Sequence, residues 1–110
     1  MINSINRFKK EHPEYNVPPQ ILLKDGKSKD PDDHWYHIYF YYKEENQIIY
    51  TWVRQVDRDY TSFAFVSINN GLILGNWKDI NKNFSRKENK LQKEKFEQRI
   101  LNEIKKQIEE

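Results

Sequence analysis

Residues His34–Lys43 read HWYHIYFYYK, with six of ten side chains aromatic. A β-strand sends alternate side chains to opposite faces, and an antiparallel sheet commonly buries one face and wets the other. This stretch is aromatic on both. The next apolar run, Ile48–Val56 (IIYTWVRQV), follows a short polar turn, so the two read as a hairpin. With a loop from Glu44 to Gln47, Lys43 faces Ile48, Tyr41 faces Tyr50, Tyr39 faces Trp52, His37 faces Arg54 and Trp35 faces Val56. One face then carries Tyr36, Ile38, Phe40 and Tyr42 with Ile49, Thr51 and Val53. It holds the branched aliphatic side chains and is the expected core. The other carries Trp35, His37, Tyr39, Tyr41, Tyr50, Trp52 and Arg54. A register slip of one residue exchanges the two sets.

Further strands follow at once. Thr61–Ile68 (TSFAFVSI) comes after the Asp-rich turn DRDY, and Leu72–Trp77 (LILGNW) comes after Asn70-Gly71, a pair suited to a tight type I′ hairpin turn. Short loops make the four strands an antiparallel meander. Ile21–Lys24 (ILLK), closed by Asp25-Gly26, is a candidate fifth strand. Before it, Ile2, Ile5 and Phe8 recur at helical spacing, so Asn3–His12 is expected to be a short helix ended by Pro13. At the other end, Ser85-Arg86-Lys87-Glu88 fits a capping box, and Phe96, Ile100, Leu101, Ile104 and Ile108 form an apolar stripe. Arg86, Lys90 and Lys93 fall on the same side as that stripe. This predicts a long C-terminal helix whose first part, within 85–95, overhangs the sheet and which docks from about Phe96 onward. The fold class is therefore α+β: a four- or five-stranded antiparallel meander with a short N-terminal helix and a long C-terminal helix on one face.

The chain of 110 residues suits one domain, spanning 1–110. Charged residues make up 33% against 36% apolar, a balance that approaches disorder. The 15% of aromatic residues tips it toward a fold, because each buried ring removes about 150–250 Å² from water. A net charge of +2 does not mark a nucleic-acid binder. With no cysteine there is no disulfide, thiolate metal site or cysteine nucleophile. No apolar run approaches a membrane span. The start, MINSINRFKK, lacks the apolar centre of a signal peptide, which predicts a cytoplasmic location, or a periplasmic or secreted one if a leader has been trimmed.

Chemistry is sparse. The three glycines cannot build a phosphate-cradling loop. KSKDPDD lacks the order of a calcium loop, and His34 and His37, three apart on a strand, point to opposite faces and make no metal site. G-x-S-x-G is missing, and the acid pairs lie in turns where solvation explains them. No cofactor and no catalytic residue is expected. What remains is the aromatic face. Cross-strand aromatic pairs contribute only about 0.2–1 kcal/mol each, so hairpin stability alone hardly explains so many rings. The chain's own segment through NVPPQILL is one candidate cover. A partner protein or a second copy is another, since Tyr, Trp and Arg are enriched at interface cores. The functional reading is a non-enzymatic protein-binding domain of adaptor or immunity type, with Trp35, Tyr39, Tyr41, Tyr50 and Trp52 at its surface and His37 and Arg54 at the edge. The alternative is a small ligand or single-stranded nucleic acid on the same rings, although nucleic acid is disfavoured by the lack of a basic groove. Arg86, Lys90 and Lys93 form a separate basic ridge able to hold an anion, or simply a solvated helix face.

Overall fold

A computed structural model describes residues 2–21, 23–27, 35–55 and 61–109. Helix α1 (Ile2–Glu11) is followed by 3-10 turns at Pro13–Tyr15 and Pro19–Ile21, then by strands β1 (Gly26–Lys27), β2 (Tyr36–Tyr42), β3 (Gln47–Gln55), β4 (Thr61–Asn70) and β5 (Trp77–Asp79). The chain ends in one long helical stretch: α2 (Arg86–Phe96), a π-helical turn (Glu97–Leu101) and α3 (Asn102–Glu109). The strands form a single antiparallel sheet in sequence order. The architecture is α+β, with both helical ends of the chain on one face of the meander. The expected loop at 28–33, His34, Val56 and the Asp-rich turn at 57–60 lie outside the described residues.

The hairpin register differs from the expected one by two residues. Tyr42 pairs with Gln47, Tyr41 with Ile48, Tyr39 with Tyr50 and His37 with Trp52. The turn is Lys43–Asn46, and Asn46 adopts φ 55°, a left-handed conformation that asparagine tolerates better than most residues. A shift of two preserves which side chains share a face, because the strand period is two. The assignment of faces therefore stands. Ile38, Phe40, Tyr42, Ile49, Thr51 and Val53 are all buried, and the apolar members join Ile5, Phe8, Ile68, Phe96, Ile100 and Ile104 in one core. Buried Thr51 is satisfied by donating its hydroxyl proton to the Ile38 carbonyl at 2.8 Å.

Two strands are placed differently from expectation. Ile21 closes a 3-10 turn, and the fifth strand is Gly26–Lys27, which pairs with Tyr36 and His37. Beyond it the edge of β2 is finished by side chains. The Asp25 carboxylate accepts from the Tyr39 amide at 2.9 Å, and Lys9 donates to the Tyr39 carbonyl and to Asp25. Asn70-Gly71 does not make a tight hairpin either. Residues 71–76 form a wider loop, and the last strand begins at Trp77. The cause is Asn69, which is fully buried. Its amide donates to the carbonyls of Gly71 and Ile73 at 2.9 and 3.0 Å, and its carbonyl accepts from the Asn76 amide at 2.9 Å. One side chain thus satisfies three backbone groups of the wider loop. Asn69→Ala is expected to lower stability by about 1–3 kcal/mol, the cost of leaving buried polar groups unmatched. Hydrogen exchange in residues 71–76 should rise with it; unchanged protection there would show that the loop holds its shape without Asn69.

The C-terminal helix starts as expected, with the Ser85 hydroxyl accepting from the Glu88 amide. The box is half formed, because the Glu88 carboxylate is taken by the Gln92 amide at 2.7 Å. Contact begins earlier than Phe96. Gln92 is buried, and Asn89 pairs with Asn81 through two hydrogen bonds. The inward line is thus Gln92, Phe96, Ile100 and Ile104, spaced by four. On an α-helix that spacing drifts about 40° per step. The wider π turn across Glu97–Leu101 takes back part of this drift and keeps Ile100 and Ile104 over the sheet. Ile108 falls off the stripe and is 47% exposed, whereas Leu101 packs against the core edge.

The same spacing brings Lys95 and Arg99 to the hairpin turn. Both bond Glu45, at 3.2 and 2.5 Å, and both lie 5.0 Å from the centroid of the buried Tyr42 ring. Partial burial pushes the Glu45 carboxyl up, but hydrogen bonds from Arg99 and Lys95, with their charges, outweigh it and hold its pKa below the ordinary 4.5. A carboxyl whose pKa is lower folded than unfolded stabilises above the unfolded value, and that contribution is lost as pH falls through the folded one. Stability of the native protein is therefore expected to fall more steeply below pH 4.5 than that of Glu45→Gln. Parallel acid titrations of the two proteins would contradict the coupling.

Candidate functional site: an aromatic groove on the open face of the sheet

The face opposite the core is built by strand alternation. Its inner row crosses four strands in register, with Tyr39 of β2 opposite Tyr50 of β3, Tyr50 opposite Ser67 of β4, and Ser67 opposite Asp79 of β5. Tyr39 and Tyr50 stack with centroids 4.9 Å apart. Trp52, next on this face of β3, lies at 6.0 Å and nearly perpendicular to Tyr50, and Trp35 lies 5.4 Å from Trp52. His37 stacks on Tyr50 at 5.7 Å and shares a hydrogen bond with its hydroxyl. Arg54 is exposed at the margin, its guanidinium 5.9 Å from the Trp35 centroid. All six of these ring-bearing or basic residues meet on one surface, and every ring is half-buried.

Tyr41 stands apart. It lies toward the turn, where its hydroxyl donates to the Asn46 side chain at 2.6 Å, and it faces Ile48. Ile48 is fully buried, so this end of the face is covered while the rest is open. The basic ridge also stays apart. Arg86, Lys90 and Lys93 are exposed along α2, and the inward line of that helix is Gln92 and Phe96, not these three.

Residues outside the hairpin complete the groove. Trp77 of β5 reaches across β4 to within 5.8 Å of Tyr50, at 59°. Small Ser67 beneath it makes room. A β-bulge lies opposite Tyr50 and Thr51, where Val66 is the extra residue on β4. It turns Val66 toward the same side as Ser67, as bulges do when they re-aim side chains. The groove holds about 440 Å³ and is lined by Leu23, Tyr39, Tyr50, Trp52, Val66, Ser67, Leu74, Trp77 and Asp79. Leu23 and Leu74 stand at its rim as the contributions of the N-terminal segment and the 71–76 loop. Helix α1 packs on the core side through Ile5 and Phe8, while Leu23, from the NVPPQILL stretch expected as a cover, forms part of the groove wall. Trp77, Asp79, Val66 and Ser67 were not read from the sequence as site residues. The one available signal was the parity of Trp77 within its strand, and that required knowing where β5 begins.

Burial pushes the Tyr39 hydroxyl up to about 12, helped by the neighbouring Tyr50 hydroxyl and by Asp25. It is a neutral hydrogen-bonding phenol at any physiological pH. Among the described residues no group of three or more His, Cys, Asp or Glu side chains is placed to hold a metal ion, and no helix is long and apolar enough to cross a membrane. No family model, curated protein or solved structure matches the chain.

Proposed function

We propose that the protein is a non-enzymatic binding domain that engages another protein through the aromatic face of its sheet. The observation behind this reading is a connected set of half-exposed rings, Trp35, Trp52, Tyr50, Tyr39, His37 and Trp77, each within 6.2 Å of at least one other. The aliphatic core lies on the opposite face and does not need them. Exposed apolar patches of this extent usually mark interaction sites, and the side-chain types are those that dominate interface hot spots. A blocking or adaptor role fits a small domain with this one distinctive surface. His37 and Arg54 supply polar contacts and steering at the margin.

A single strand of nucleic acid is less suited to the same rings. Stacked bases need a basic track for the phosphates, and the charged residue lining the groove is Asp79. The test is to measure mass in solution, recover partners from the host with the tagged chain, and reconstitute any complex or dimer from purified components. Binding that survives loss of Trp52 would place the interface elsewhere.

A further inference from the structure

We infer that the groove between Tyr50, Trp52, Trp77 and Asp79 is a receptor for a basic side chain, a lysine or arginine, presented by the partner protein. This rests on the protein-binding reading and adds the chemistry of what enters. Tyr50 and Trp52 meet at 84°, and Tyr50 and Trp77 at 59°, and all three rings line the same groove. Aromatic faces carry negative potential and attract a cation within about 6 Å of the ring centroid. Neighbouring strands lie about 4.8 Å apart. Tyr50 and Asp79, two strands apart on one cross-strand row, therefore have backbones about 10 Å apart, with small Ser67 between them.

The carboxylate decides the sign. Among the residues lining the groove, Asp79 alone carries a full charge. Its backbone is engaged, with the amide donating to the Asn83 side chain and the carbonyl accepting from Lys82 and Asn83. Among the described residues its side chain has no ion pair and no hydrogen bond. It is half-buried nonetheless. The other acid near this face, Asp25, is already matched by Lys9 and the Tyr39 amide. A half-buried, unmatched carboxylate in a groove lined by aromatic rings disfavours anions and favours a cation with an apolar stem. The stem lies along Leu23 and Leu74 at the rim, as long basic side chains do on apolar surfaces.

The experiment uses the full chain and capped amino acids as probes. N-acetyl-lysine amide and N-acetyl-arginine amide are titrated while the Trp52 and Trp77 indole signals are followed by NMR, with N-acetyl-norleucine amide as the neutral counterpart and N-acetyl-glutamate amide as the anion. The basic amides should shift both indoles and bind at least about tenfold more tightly than the neutral one. Asp79→Asn should remove about that factor, with folding checked by its melting curve. Equal binding of norleucine amide, or full binding by a folded Asp79→Asn, overturns the cation site. A dimer or reconstituted complex that needs Trp52 while no basic amide binds also overturns it and leaves the protein-binding reading standing. Asp79-dependent cation binding with neither dimer nor partner keeps the chemistry but overturns a protein as its source.

Discussion

Phe40→Ala is expected to lower the unfolding free energy by about 3–5 kcal/mol, the usual cost of removing a buried ring. Phe40 is fully buried at the point where three elements meet. Its ring contacts Phe8 of α1 at 6.2 Å and Phe96 at the end of α2 at 6.5 Å, and the Lys9 ammonium lies 5.2 Å from its centroid. Alanine would leave a cavity that neither the strand backbone nor the two helices can close without breaking other contacts. Domains of this size hold only about 5–15 kcal/mol in total, so the variant should sit close to its unfolding transition at room temperature. Urea unfolding followed by circular dichroism is the direct measurement. The midpoint should fall while the slope stays near that of the native protein. An unchanged midpoint would mean that the ring bears little of the packing between helices and sheet.

Trp52→Ala is expected to behave in the opposite way, costing at least about 2 kcal/mol in binding, the level of a hot spot, and less than that in folding. Trp52 sits at the centre of the ring chain, with Trp35 at 5.4 Å, Tyr50 at 6.0 Å and His37 at 6.2 Å. It is half-buried in the free protein, so a partner has further apolar area to cover. Among the described residues its buried indole N–H has no hydrogen-bond partner. An unmatched donor of this kind costs about 1–3 kcal/mol in the folded state, and removing it offsets part of the packing lost on truncation. The two effects together should leave the melting temperature less changed than the affinity. The deciding comparison is between dissociation constant and melting temperature in the same variant. If Trp52→Ala unfolds the chain and neither a dimer nor a partner is found for the native protein, the rings form a second layer of core and not an interface.

The contrast between these two residues follows from the hairpin sequence. Phe40 and Trp52 fall on opposite faces because the strand period is two, and that sorting is local. It survived a two-residue error in pairing, since an even shift leaves every side chain on its own face. For the same reason the helix start at Ser85 and the N-terminal pair Ile5 and Phe8 were legible, as each depends on neighbours within one or two turns. The sequence by itself thus determined the fold class, the inward and outward faces of β2 and β3, and the aromatic character of the open face. The tertiary structure alone decided the register, through the left-handed Asn46 in the turn. It decided the late start of β5, through a buried Asn69 that spends its side chain on Gly71, Ile73 and Asn76. It also brought Trp77 and Asp79 across β4 to Tyr50, and Lys95 and Arg99 to Glu45. The physical reason is range. Side-chain periodicity is set by backbone geometry from one residue to the next, whereas a groove shared by four strands exists only after turns and a bulge have fixed which distant residues stand side by side.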